Sequence, residues 1–504
     1  MLAVLPKIKL GRASKTAKAG IKSVEKQNRD ITMLAPVWRF ASAPFRLIPW
    51  YIWLALVAIA AWFGRNILLI IATIIAFHPI PVPPLFQGEP ETLAEAQLQD
   101  LQHFRHVRRN ERSLDAESRA DFEAAIVALE ARAGSLNAAE FQLELARLQA
   151  RIDNGHSNAS AARMVEPFDR VPFRTSWMVD ELRVLRVQPG YEAWLGARLT
   201  HIGGVAVDDV LADFRDAFGG IDPFYFTFAP LLLEAPDYLA AIGIADPVYR
   251  LELMTGEIVE ERIDPIAPIE GAARVFSGDL LMPWVSEGES WIAFEPAGDA
   301  LLLRNPEHGY WFERLDASTA YIAIRSNFDD ESGEALADWV LRARDEIDAM
   351  GVETLIVDQR FNSGGDLTRT APLMRALGDI VGADGEIFML ANGNTFSAGV
   401  VNLAMVKEAA PTQTRIVGAP IGDRLQFWAE GWWYSLPNSG FRARYSTGFF
   451  DLQNGCEGIF ICPWGSLHVF PVIVDDLDVD IPAGLTFEAY AQGRDPALEA
   501  IGIE

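Results

Sequence analysis

The stretch VETLIVDQRFNSGGDLTRTAPLMRALGDIV, residues 352–381, decides the fold. Its TLIV core is a short apolar run of the kind that forms a strand covered on both faces. A polar loop with paired glycines, Gly364–Gly365, follows, and then a helical pattern. The flanks repeat the alternation. TAYIAIRS (319–326) reads as a strand and ESGEALADWVLRARDEIDAMG (331–351) as an amphipathic helix. EIFMLAN (386–392) is again a strand, NTFSAG (394–399) a turn, VVNLAMVKEAA (400–410) a helix and TRIVGAP (414–420) a strand. Strands alternating with helices imply a parallel sheet with helical crossovers, an α/β core.

Two loops leave the carboxyl ends of these strands, DQRFNSGGD (358–366) and NTFSAG. Ligands of open α/β sheets collect at that edge. Paired glycines let a backbone N–H approach a substrate closely. Ser397 stands where the second loop becomes a helix. There it is either a helix cap or a nucleophile with the positive end of the helix dipole behind it.

The 504 residues carry 43 Lys/Arg against 69 Asp/Glu, a net charge of -26. The charge is uneven, because residues 1–46 hold ten Lys/Arg against only Glu25 and Asp30. The strongly acidic remainder repels phosphate backbones, so nucleic acid is not an expected partner. From Leu47 to Phe77 the chain is apolar apart from Arg65 and Asn66. That run is long enough for one membrane crossing, with Trp50, Tyr51 and Trp53 at one interface. The expectation is a single-pass protein with a basic cytoplasmic segment (1–46) and an anchor (47–78) contacting membrane lipid. The positive-inside rule would place the body in the periplasm or outside the cell. Cys456 and Cys462 are the only cysteines, and in an exported body they would form a local disulfide.

Residues 85–165 read as a helical region. NAAEFQLELARLQARI (137–152) opens with Asn137 and has Glu140 three residues on, a capping-box pattern. It runs into DNGHSNAS (153–160), a turn-rich stretch bearing His156. Short strand-like runs follow over 166–265.

Taken in order, VDQRFNSGGD, NTFSAG, TRIVG, SLPNSG (435–440) and DVDIPAGLTFEAYAQGRDPALEA (478–500) resemble the S41 serine peptidases, the C-terminal processing and tricorn-like proteases. RIDNGHSNA (151–159) resembles the segment that ends that family's helical region, and ARLTHIGGVAVDDVL (197–211) its PDZ-like segment. The resemblance implies a ClpP/crotonase-like β-α core over 266–504, a PDZ-like module over 166–265, a peptide or protein substrate, and no cofactor or metal. It implies Ser397 as nucleophile, with an oxyanion hole from the N–H of Ala398 and of Gly364 or Gly365.

The base is the point of departure. The processing proteases use a lysine about 25 residues beyond the serine, where this chain has Gly422, Asp423 and Arg424. Arginine does not deprotonate. Lys407, the only lysine after Lys26, lies ten residues along the serine's own helix, about 15 Å away. The tricorn-like branch takes a histidine from before the PDZ-like segment, which carries over to His156, with Ser157 beside it and Glu457 as the orienting carboxylate. The expected activity is serine endopeptidase hydrolysis of unfolded or C-terminal segments. The alternative is a non-catalytic binding protein on the same fold.

Overall fold

The computed structural model describes residues 50–77, 88–179, 181–331, 333–458, 460–463 and 472–503. The basic segment 1–46, His78 and His468 lie outside the described residues. The chain divides into two units, 1–71 and 72–504. A helix spans Trp50–Phe77 and includes Arg65 and Asn66. Among the described residues no helix is long and apolar enough to cross a membrane. A single-pass membrane protein is therefore not supported, and the localisation drawn from that expectation is corrected.

Three helices, Leu93–Val107, Ala116–Glu130 and Ala138–Ala150, open the second unit. The last begins with the expected capping box, Asn137 accepting from Glu140 N–H and Glu140 accepting from Asn137 N–H. A seven-stranded sheet follows. Its strands are β1 (Phe173–Met178), β2 (Glu181–Val187), β3 (Arg198–Ile202), β4 (Val205–Ala206), β5 (Val248–Glu252), β6 (Ile258–Arg262) and β7 (Ile292–Ala293). One apolar core runs through both parts, joining Phe104, Phe122 and Phe141 of the helices to Phe173, Val184 and Leu199 of the sheet. β7 pairs with β2, so residues near 292 belong to this sheet although they follow position 265.

The second sheet contains β8 (Tyr310–Arg314), β9 (Thr319–Ile324), β10 (Thr354–Asp358), β11 (Glu386–Ala391), β12 (Thr414–Gly418) and β17 (Ile481–Pro482), in the order β17-β12-β11-β10-β9-β8. All neighbours are parallel except β8, which is antiparallel to β9. Side chains alternate between two cores. Leu355 and Val357 face one and Ile356 the other; Ile387 and Met389 oppose Phe388 and Leu390 in the same way. Burial on both faces explains why these strands read as unbroken apolar runs. The helix Ala398–Ala409 is buried from Ala398 to Val406, which fits its apolar residues on every side.

Two hairpins complete the unit, β13 (Gln426–Ala429) with β16 (Gly448–Asp451) and β14 (Trp433–Ser435) with β15 (Arg442–Arg444). Cys456 and Cys462 form a disulfide just beyond β16.

Candidate active site

Three successive parallel strands, β10, β11 and β12, deliver three loops to one edge of the sheet. After β10 comes the Gly364–Gly365 loop, supported from below by buried amides. Asn362 Nδ2 donates to Asn327 Oδ1 (2.7 Å) and Gln359 Oε1 (2.8 Å), and Asn402 Nδ2 reaches the same two oxygens. Thr370 Oγ1 closes the network on Asn402 Oδ1. Asn362, Gln359, Asn327, Thr370 and Asn402 are all fully buried. These buried amide contacts tie the loop to the serine helix, although Gln359 Nε2 itself has no partner.

After β11 comes the serine turn. Ser397 has φ 54° and ψ -121°, a conformation that non-glycine residues rarely adopt, and its side chain makes no capping hydrogen bond. It is therefore not a helix cap in the usual sense. The turn is forced by close packing: a Cβ on Gly399 would lie 2.5 Å from Asn362 O. Ala398 opens the helix, so its N–H has no intrahelical acceptor.

The Gly-Gly loop touches this turn. A Cβ on Gly364 would lie 2.7 Å from Ser397 Cβ and 3.3 Å from Ala398 N. Gly364 N–H is already donated to Asn362 Oδ1 at 3.0 Å. Gly365, with φ 133°, lines the cavity beside Ser397.

His156 arrives from the helical region, in the short turn Gly155–Ser157. Asn154 Nδ2 donates to Trp428 O of β13 (2.9 Å) and to Ser157 Oγ (3.0 Å). Ser157 is fully buried; its Oγ donates to Glu111 Oε2 (3.0 Å) and lies 2.7 Å from Ser446 Oγ. Ser157 thus ties down the turn rather than reaching the imidazole. Gly155 is small because Phe396 presses on it, an added Cβ lying 2.9 Å from the ring.

The imidazole stands in a column of five rings. Phe224 stacks on Phe396 at 3.9 Å, Phe396 on His156 at 4.3 Å, His156 on Phe427 at 5.2 Å and Phe427 on Phe450 at 4.9 Å. Burial pushes the His156 pKa down, and Asp423 partly opposes that shift. Nδ1 of His156 lies 3.3 Å from Asp423 Oδ2, close enough for a hydrogen bond but not aligned for one.

Ser397 and His156 line one cavity of about 510 Å³. Its walls include Val401, Leu367, Phe427 and Phe450, with Arg444 and Glu430 at one side. The cavity therefore offers an apolar surface beside a hydroxyl, an imidazole and free amides. Glu457 is exposed in the disulfide loop and is not among the residues lining the cavity. Lys407 pairs with Asp476 at 2.7 Å and is not among the residues lining the cavity. Asp423 was read in the sequence only as a missing lysine; its proximity to the histidine is a product of the fold.

No family model matches the sequence, and no curated protein matches it either. Among solved structures, mature CPAF complexed with lactacystin aligns with a TM-score of 0.51 at 12% identity, covering 80% of this chain and 96% of that one. Mature CPAF by itself aligns with a TM-score of 0.50, also at 12% identity, over 80% and 95%. The photosystem II D1 C-terminal processing protease aligns more loosely, with a TM-score of 0.35 at 14% identity over 78% and 94%, and carries no weight. Over about four fifths of this chain the fold is that of mature CPAF.

Proposed function

We propose that this chain is a serine peptidase in which Ser397 is the nucleophile and His156 takes its proton. One observation carries the reading: a strained serine at a helix start and a buried histidine, brought by separate parts of the chain, line the same cavity. Ser397 Oγ attacks the carbonyl carbon of a peptide bond while its proton passes to His156 Nε2. The oxyanion is held by Ala398 N–H and by a glycine amide. Gly365 suits that role because Gly364 N–H is engaged by Asn362. His156 then protonates the leaving amine, and water, deprotonated by the same imidazole, hydrolyses the acyl-enzyme. The lowered pKa keeps the imidazole neutral and able to accept a proton near pH 7.

The substrates are polypeptide segments, unfolded or C-terminal, laid along an apolar wall. We assign the PDZ-like role to the sheet β1–β7, whose β3 and β4 lie within the ARLTHIGGVAVDDVL segment. A fluorophosphonate probe tests the central claim. It labels Ser397 in the wild type and fails to label Ser397→Ala, which also loses hydrolysis of unfolded casein. Hydrolysis undiminished in Ser397→Ala refutes the proposal, and wild-type protein inert to both reagents favours the non-catalytic binding reading.

A further inference from the structure

We infer that Asp423 is the carboxylate that positions His156, supplied by the loop in which processing proteases carry their lysine. The inference rests on the Ser397–His156 reading above. Three contacts build it. The loop after β12 is bolted to the serine turn, with Gly422 N–H donating to Thr395 O at 2.9 Å. Only glycine fits there, since a Cβ on Gly422 would lie 2.3 Å from Gly393 O. The next residue but one, Arg424, grips the histidine segment, donating to Asp153 O (2.7 Å) and to both Asp153 carboxylate oxygens. Asp423 lies between these anchors, and its own Oδ1 accepts Arg424 N–H. Its other oxygen, Oδ2, has no hydrogen-bond partner and faces His156 Nδ1. Both side chains are almost wholly buried, at 2% and 3% exposure.

The chemistry follows from the tautomer. A carboxylate at Nδ1 selects the imidazole with hydrogen there, which leaves Nε2 bare to accept the serine proton. The rings of Phe396 and Phe427 cover both faces and limit the remaining freedom to rotation in the ring plane. Asp423 fixes that rotation. It also stabilises the imidazolium formed during acylation. The other charged groups acting on the imidazole are Glu430, which favours the proton, and Arg444, which opposes it.

The test uses the full chain and two readouts, casein hydrolysis and the rate of fluorophosphonate labelling, each followed from about pH 5 to 9. Asp423→Asn keeps the acceptor for Arg424 N–H but presents an amide that cannot hold the imidazolium. It is expected to lower kcat by about 10²-fold or more with little change in KM. Its acidic limb should move to lower pH, which a purely structural role would not produce, and Asp423→Glu should recover part of kcat. In ¹⁵N-histidine spectra of the wild type, His156 should carry its hydrogen on Nδ1. Wild-type kcat and an unmoved limb in Asp423→Asn overturn the inference. So does a hydrogen on Nε2, which is read without any variant at position 423, or a loss confined to Glu457→Gln. Ser397 labelled normally in an unimpaired Asp423→Asn sinks this inference alone, whereas an active Ser397→Ala sinks the peptidase reading beneath it.

Discussion

Gly364 packs so tightly on Ser397 that a methyl group at position 364 would sit 2.7 Å from the serine Cβ and 3.0 Å from its Oγ. Its φ of 117° is also one that residues with a Cβ rarely adopt. Gly364→Ala must therefore displace either the loop or the serine. A shift of even 1 Å at a nucleophile can cost about 10²-fold in rate. Turnover in Gly364→Ala is expected to fall by about that factor or more, with the far-ultraviolet circular dichroism unchanged. Wild-type kcat would show that the loop does not set the serine's position.

Ser397 and His156 are proposed to act as one unit, so their losses should not add. Each alanine variant is expected to lose orders of magnitude in kcat, and the double variant to be scarcely worse than either. Lys407 has its own partner in Asp476, exposed on that side, so Lys407→Ala should change kcat less than about twofold and stability by at most ~1 kcal/mol. A deep loss in Lys407→Ala would reopen a lysine mechanism.

The α/β core was legible because buried parallel strands leave continuous apolar runs, and each of those read over 319–418 became a strand of the second sheet. The helix expected over 367–381 is divided into Leu367–Met374 and Leu377–Val381, with Pro372 inside the first. Ser397 stood out through its turn and His156 through motif order. Asp423 could not be found that way. Its place is set by Arg424 holding Asp153, a contact between residues 271 positions apart. The five-ring column draws on five separate segments, and no local pattern announces it. The anchor was read from hydropathy, and the described helix residues do not sustain it.

Arg360 explains why the closing GRDPALEA segment belongs to the core. Its guanidinium forks between Asp358 and Asp495, at 2.6 Å and 2.7 Å, with all three side chains buried. Tyr321 adds a 2.6 Å hydrogen bond to Asp358. Arg360→Met leaves two buried carboxylates without a cation, an arrangement that costs ~3–5 kcal/mol. Urea unfolding should show that loss. Arg342→Met, which breaks exposed pairs with Glu334 and Glu346, should cost at most ~1 kcal/mol. Equal effects of the two variants would mean that the Arg360 cluster does not anchor the C-terminal segment.

The pH dependence follows from the burial of His156. Desolvation between Phe396 and Phe427 lowers its pKa below the ordinary histidine value of about 6.5, with Asp423 acting in the opposite direction. The unfolded chain thus takes up the proton at a higher pH than the folded one. The stability contributed by the neutral, buried ring is fully present above about pH 6.5 and is lost as pH falls toward the folded pKa. His103 is shifted in the same direction, also chiefly by burial, so it adds to the trend. Activity obeys the same titration, because only the neutral imidazole accepts the serine proton. The acidic limb of kcat/KM should therefore have its midpoint below about pH 6.5. In His156→Gln the urea midpoint should vary less between about pH 7 and 5.5 than in the wild type, because the contribution of this buried ring is gone. An acidic limb centred well above 6.5 would show that the base is not this buried ring.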